Sequence, residues 1–182
     1  MKRLSSHRSC LIYLIALVTC ASRSWAKPCD AITLPSEIKS ILEKEFVGWR
    51  IVTPELLSSP EQRQLWKEEF SSECPGIISG HFRGQQVEYA INLIRGSDNT
   101  LEQQVVFFGV STEGFAKTVL VPPSRATIVN VLRKGAPGMY RDPDTGRSVK
   151  VRFDTIALAR TWAGAVAFYW DGKRFQRIDV SV

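Results

Sequence analysis

The chain has 182 residues, 24 Lys and Arg against 18 Asp and Glu, and a formal charge of +6. Four of the bases (Lys2, Arg3, Arg8 and Arg23) and none of the acids fall within residues 1–26, so residues 27–182 hold 20 bases against 18 acids, a near-neutral +2. That balance argues against a nucleic-acid-binding surface, and no later stretch is apolar for the roughly 20 residues a membrane span requires.

The N-terminus has the order of a secretory signal peptide: bases first, then the apolar run Leu11–Val18, then Ser24-Trp25-Ala26 with small residues flanking a cut before Lys27. Residues 1–26 are therefore expected to be removed, leaving a single domain over 27–182 in the periplasm or outside the cell. A rival signal is Leu17-Val18-Thr19-Cys20, which resembles a lipobox and would anchor the chain through a lipidated Cys20, although Thr19 fits that motif poorly. Cleavage before Lys27 removes Cys10 and Cys20 and leaves Cys29 and Cys74, an even pair in an oxidising compartment. A disulfide is expected between them, closing a loop of about 46 residues and contributing on the order of 4 kcal/mol. Two free thiols are the alternative, but neither cysteine has a CxxC partner or a nearby histidine.

In chain order, residues 35–46 read as a helix with Leu34, Ile38, Ile41, Leu42 and Phe46 on one stripe, stopped by Gly48. Trp49–Thr53 reads as a short strand. A second helix opens on Ser59 as N-cap, Pro60 at the first helical position and Gln62 completing a capping box, and runs to Cys74-Pro75-Gly76. From Ile77 the period changes to two, with Val87, Tyr89, Ile91 and Leu93 alternating with Glu88, Ala90, Asn92 and Ile94. Further strands are expected at Gln104–Gly109, Phe115–Val121, Thr127–Leu132 and Val149–Phe153. The separators are Gly96–Asn99, Ser111–Gly114, Pro122-Pro123 and Asp142–Gly146. Ala165–Trp170 and Arg174–Val180 flank Asp171-Gly172, a pair suited to a tight hairpin. Two helices followed by about seven strands imply an α+β fold, its two N-terminal helices packed on a largely antiparallel, meandering sheet.

Chemistry is sparse. His81 is the one histidine after residue 26, so a multi-histidine metal site is not expected, and no GxSxG, HExxH or P-loop motif points to catalysis or a cofactor. Glu68-Glu69 diverge on a helix, and Asp142 with Asp144 suits a turn. The charge divides unevenly, with 7 bases and 10 acids in residues 27–94 against 13 and 8 in residues 95–182. The C-terminal hairpin gathers Trp162, Phe168, Tyr169, Trp170 and Phe175. Alternation puts Phe168 and Trp170 on one face and Tyr169 on the other, beside Arg174, Arg177 and Arg160. A face of that kind suits an anionic, carbohydrate or protein partner, and cross-strand aromatic packing is the structural alternative. Tyr169, Arg174, Arg177 and His81 are the candidate binding residues.

Several segments, Leu34-Pro35 with Ile38-Lys39, Phe46 with Gly48-Trp49-Arg50, Cys74–Ile77 with Gly80 and Phe82, Tyr89-Ala90 and Tyr169–Lys173 with Phe175, resemble a family of exported bacterial proteins without an assigned activity. Gly80–Gln86 also resembles the GDFDGDG-type turn of FG-GAP and VCBS repeats. His81, Arg83 and Gln85 replace its aspartates, so the resemblance implies a shape and not a calcium site. The expected function is an exported, disulfide-clamped, non-catalytic binding module. It would be an inhibitor or immunity-type partner of another envelope or secreted protein, needing no cofactor. The alternatives are a cell-envelope hydrolase built on His81 or a carboxylate pair, and a structural lipoprotein anchored at Cys20. Intact-mass analysis of the exported protein should give a chain beginning at Lys27; a diacylated Cys20 at the N-terminus would refute it.

Overall fold

The computed structural model describes residues 29–96, 100–160 and 164–181. The export segment, residues 97–99 of the expected Gly96–Asn99 separator, and Trp162 lie outside these residues. The first helix, α1 (Ser36–Glu45), follows Pro35 and buries Ile38 completely. With Leu34 and the half-buried Ile41, Leu42 and Phe46 it covers Ile77, Ile91, Leu93, Val106 and Phe108. A short strand β1 (Arg50–Ile51) leads to α2 (Pro60–Glu69). Ser59 Oγ caps α2 by accepting the Gln62 amide at 3.1 Å. Gln62 does not close the expected box on Ser59. Its Oε1 accepts the Ser58 amide at 2.9 Å, and its Nε2 donates to the Val129 carbonyl at 2.7 Å. The cap thus becomes a tie between the helix and a distant strand entrance. Helix α2 stops at Glu69, short of Cys74. Phe70 packs on Trp66, with ring centroids 5.0 Å apart, and Ser71-Ser72 follow, residues that favour turns over helix.

The strands are β2 (Ile77–Gly80), β3 (Glu88–Arg95), β4 (Glu102–Ser111), β5 (Gly114–Arg125), β6 (Val131–Gly135), β7 (Gly138–Arg141), β8 (Ser148–Val151), β9 (Thr155–Ala159), β10 (Ala165–Trp170) and β11 (Phe175–Val180). Every pairing among the described residues is antiparallel, and with the two helices this makes an α+β fold. The expected single meander is instead divided. In one sheet β1 and β2 lie end to end against β3, followed by β4 and β5. In a second the order is β6-β9-β10-β11, and β7 with β8 forms a separate ribbon.

The division follows from strands that are apolar on both faces. On β3 and β4, Ile91, Leu93, Val106 and Phe108 meet α1. Ala90, Val105 and Phe107 meet Leu132, Ile156 and Phe168 of the second sheet. The outer face of that second sheet is covered in turn by the ribbon, with Val151, Tyr140 and Val149 against Ala167, Tyr169 and Ile178. The layers therefore run helix, sheet, sheet, ribbon. Trp66 of α2 closes one end of the sandwich over Val52, Ile94, Val131 and Ala159.

Two expectations fail for identifiable reasons. Pro122-Pro123 reads as a separator in the sequence, yet the pair lies inside β5. As an edge strand β5 can do without two amides, and the ladder shifts register opposite them, between Gln103 and Val105. Strand β6 starts at Val131 and not Thr127, because side chains claim the backbone before it. The Val129 amide donates to Ser58 Oγ and the Asn130 amide to Gln103 Oε1. The amides of Asn92 and Gln103, buried between the sheets, satisfy one another and the Asn130 carbonyl, with contacts of 2.8 to 2.9 Å. Strands β7 and β9 were not anticipated.

Along one side the sheets are joined where the Leu132 amide donates to the Pro75 carbonyl at 2.8 Å. On the opposite side β5 and β11 share no ladder among the described residues. The Cys29–Cys74 disulfide, 45 residues apart in sequence, fastens the segment before α1 beside Val52. Replacing both cysteines by alanine should lower the urea-unfolding free energy by up to about 4 kcal/mol. Iodoacetamide should label neither cysteine in the denatured protein until a reductant is added, and labelling without reductant would refute the bond.

Candidate functional site

Where β5 and β11 fail to meet, a groove of about 400 Å³ opens. Its wall is formed by Arg83, Thr118, Val119, Leu120, Phe168, Trp170, Lys173, Arg174, Phe175 and Arg177, with no carboxylate among them. The β10–β11 hairpin supplies most of it. Ladder register pairs Phe168 with Arg177 and Trp170 with Phe175, so these four side chains share the face turned toward the first sheet. The hairpin turns through four residues, 171–174, and not the two-residue Asp171-Gly172 turn expected. The reason is the Asp171 carboxylate. Its Oδ1 accepts the Lys173 and Arg174 amides, each at 2.8 Å, and its Oδ2 accepts Gln176 Nε2 at 2.6 Å. These bonds, led by the Arg174 amide, hold its pKa down at about 2. They also set Lys173 and Arg174 at the groove mouth.

Arg83 forms the deep end. It leaves the β2–β3 connection and is gripped by Glu88, whose side chain is only 4% exposed. Nε donates to Glu88 Oε1 at 2.8 Å, Nη2 to the Val110 carbonyl at 3.0 Å, and the Arg83 amide to Glu88 Oε2 at 3.1 Å. The guanidinium carbon stands 5.1 Å from the Phe107 ring centroid and 5.6 Å from that of Trp170. Gly109 is required beside it, since a Cβ there would collide with the guanidinium. Phe175 packs on Phe107 and Trp170 with centroids 4.7 and 5.3 Å away.

Two of the four cations are answered: Arg83 by Glu88, and Arg177 by Asp179 at 3.1 Å in a solvent-exposed pair of little strength. Among the described residues no carboxylate lies within ion-pair distance of Lys173 or Arg174, and the charge of Arg174 is felt by Asp171 in the turn. The site can therefore hold a negatively charged group near its mouth and stack apolar or aromatic matter against Trp170 and Phe175.

Of the four residues singled out from sequence, Arg174 and Arg177 line this groove. Tyr169 does not: it is 6% exposed beneath the β7–β8 ribbon. The error follows from the unrecognised β7, which turned the supposed open face into an interior one. Arg177 likewise lies on the Phe168 face, contrary to expectation, as the register requires. His81 is exposed in the β2–β3 connection, its Nδ1 3.3 Å from the Gln86 carbonyl and its amide bonded to Asp154, and it is not part of the groove wall. Asp142 serves its turn by accepting the Asp144 and Thr145 amides. Arg83, Phe168, Trp170, Lys173 and Phe175 are wall residues that the sequence reading did not single out. For Arg83 the signal was Glu88, a carboxylate in phase with Ala90 and Asn92 on an interior face, which demands a cation close by. Among the described residues no cluster of three His, Cys, Asp or Glu side chains is suited to hold a metal.

Comparison of the chain with protein-family models, curated proteins and solved structures finds no match.

The depressed Asp171 pKa has a sign that can be worked out. The unfolded carboxylate binds its proton near the ordinary 3.8 and the folded one only near 2, so its stabilisation is complete above about pH 4 and is lost as the pH falls through 2. Asp171→Ala should be less stable than the parent at pH 6, and the gap should close between about pH 4 and pH 2 in urea titrations. A gap that stays constant with pH would exclude the carboxylate's charge as the cause.

Proposed function

We propose that this protein is an exported, disulfide-clamped binding module that works without catalysis and takes an anionic partner into the groove between β5 and β11. The observation that carries the proposal is a wall of four cations and three aromatic rings containing no carboxylate. Aromatic faces beside Arg and Lys suit recognition, and an acid-free wall selects by charge. The partner class is another exported protein, with this chain as its inhibitor or immunity-type counterpart. Periplasmic or extracellular residence is part of the proposal. It is supported by the disulfide and by the signal-peptide order, and no helix among the described residues is long and apolar enough to cross a membrane. Membership of the exported family that the sequence resembles is likewise proposed.

The test uses three fluorescent or calorimetric probes: inorganic pyrophosphate, a sulfated oligosaccharide and an oligoglutamate. At least one should bind, weaken as salt rises from about 50 to 500 mM, and lose at least about tenfold in affinity when Lys173, Arg174 and Arg177 are all changed to Glu. Binding that ignores the triple charge reversal, or no binding of any probe, would refute the groove as the site.

A further inference from the structure

Strand β5 is twelve residues long, lies at the edge of its sheet, and pairs only with β4 among the described residues. The direction of its free backbone groups can be derived. The Phe115 amide donates to Glu37 Oε1 of α1 at 2.9 Å, so it points away from β4. From Ser111↔Gly114 to Val106↔Val119 the register is unbroken. In an antiparallel ladder inward and outward residues alternate, so Lys117 and Val119 also turn their N–H and C=O outward. The edge ends beyond them at Pro122, which has no amide to offer. Val119 is 47% exposed and belongs to the groove wall, within the same cleft as Trp170, Arg174, Phe175 and Arg177. The groove thus offers a row of backbone donors and acceptors on one side and cations with aromatic rings on the other.

Given the binding role above, on which this rests, we infer that the groove's occupant is an extended acidic segment of a partner protein, added as a strand to the β5 edge. Only a polypeptide backbone matches the alternating groups at Lys117 and Val119. A small anion or a sulfated glycan would use the cations and leave that edge unpaired. A second copy of this chain would bring Lys173, Arg174 and Arg177 against their own kind. An acidic strand answers them, with carboxylates at alternate positions toward the groove mouth and apolar side chains against Trp170 and Phe175.

The experiment uses a labelled octapeptide of alternating Glu and Val, followed by fluorescence anisotropy with the purified protein. Two further peptides carry N-methyl groups on every second amide, one in each phase. At least one phase should bind about tenfold more weakly or worse, since it cannot donate to the edge. Val119→Pro, which removes one of the outward amides, should weaken the unmethylated peptide comparably. Equal binding of all three peptides would overturn strand addition while leaving the anion-binding groove intact. Strand addition is overturned in the same way if pyrophosphate or the sulfated oligosaccharide binds through Lys173, Arg174 and Arg177 and the octapeptide does not. If no anionic probe binds, both proposals fall. The methylated peptides test the idea from the ligand side, so a misfolded proline variant does not decide the outcome.

Discussion

A carboxylate shut inside a protein must be answered by a cation, and Glu88 imposes that demand on everything around it. It sits at the start of β3, facing the second sheet, in surroundings where an unpaired charge would cost several kcal/mol. Arg83 meets it with its main chain and its guanidinium together, which folds the β2–β3 connection back over the sandwich. The guanidinium then needs room, supplied by Gly109, and flat surfaces, supplied by Phe107 and Trp170. Those rings belong to different sheets. A single pairing of charges therefore decides how the open side of the sandwich is furnished, and Phe175 stacks on the result.

The open side exists because the other sides are taken. Helix α1 covers one outer face, the β7–β8 ribbon covers the other, α2 closes an end, and the contact of Pro75 with Leu132 seals one flank. What remains among the described residues is the flank between β5 and β11, where no backbone hydrogen bond joins the two sheet edges. Basic residues crowd the C-terminal half of the chain, and the hairpin at that end brings three of them to this flank. The charge asymmetry visible along the sequence becomes a local property of one cleft.

What could be read from the sequence was what short-range chemistry controls. Ser59-Pro60 with Gln62 announced α2 because capping is decided within four residues, and Ala165–Trp170 was bounded correctly because its alternation is uninterrupted. The Cys29–Cys74 bond followed from compartment and elimination. Other features depended on partners far away in the chain. Pro122-Pro123 reads as a break unless β5 is known to be an edge, and Gly138–Arg141 looks like a loop until the face it covers exists. Tyr169 illustrates the cost: alternation identified its face correctly as opposite to Phe168, but only the ribbon shows that face to be interior. Arg174 and Arg177 stand out in the sequence for their charge near aromatic residues, which suits a cleft at the sheet margin, though Arg177 reaches it from the Phe168 face.

The diproline in β5 has a consequence for the life of the protein at high concentration. A long bare sheet margin invites copies to stack edge on edge into growing fibrils, which is a hazard for any concentrated protein. Pro122 and Pro123 withhold two successive amides, and Glu37 occupies the amide at the other end of the margin. Only a stretch a few residues long is left adhesive. It is wide enough to grip one strand, and too short to serve as the first layer of an aggregate.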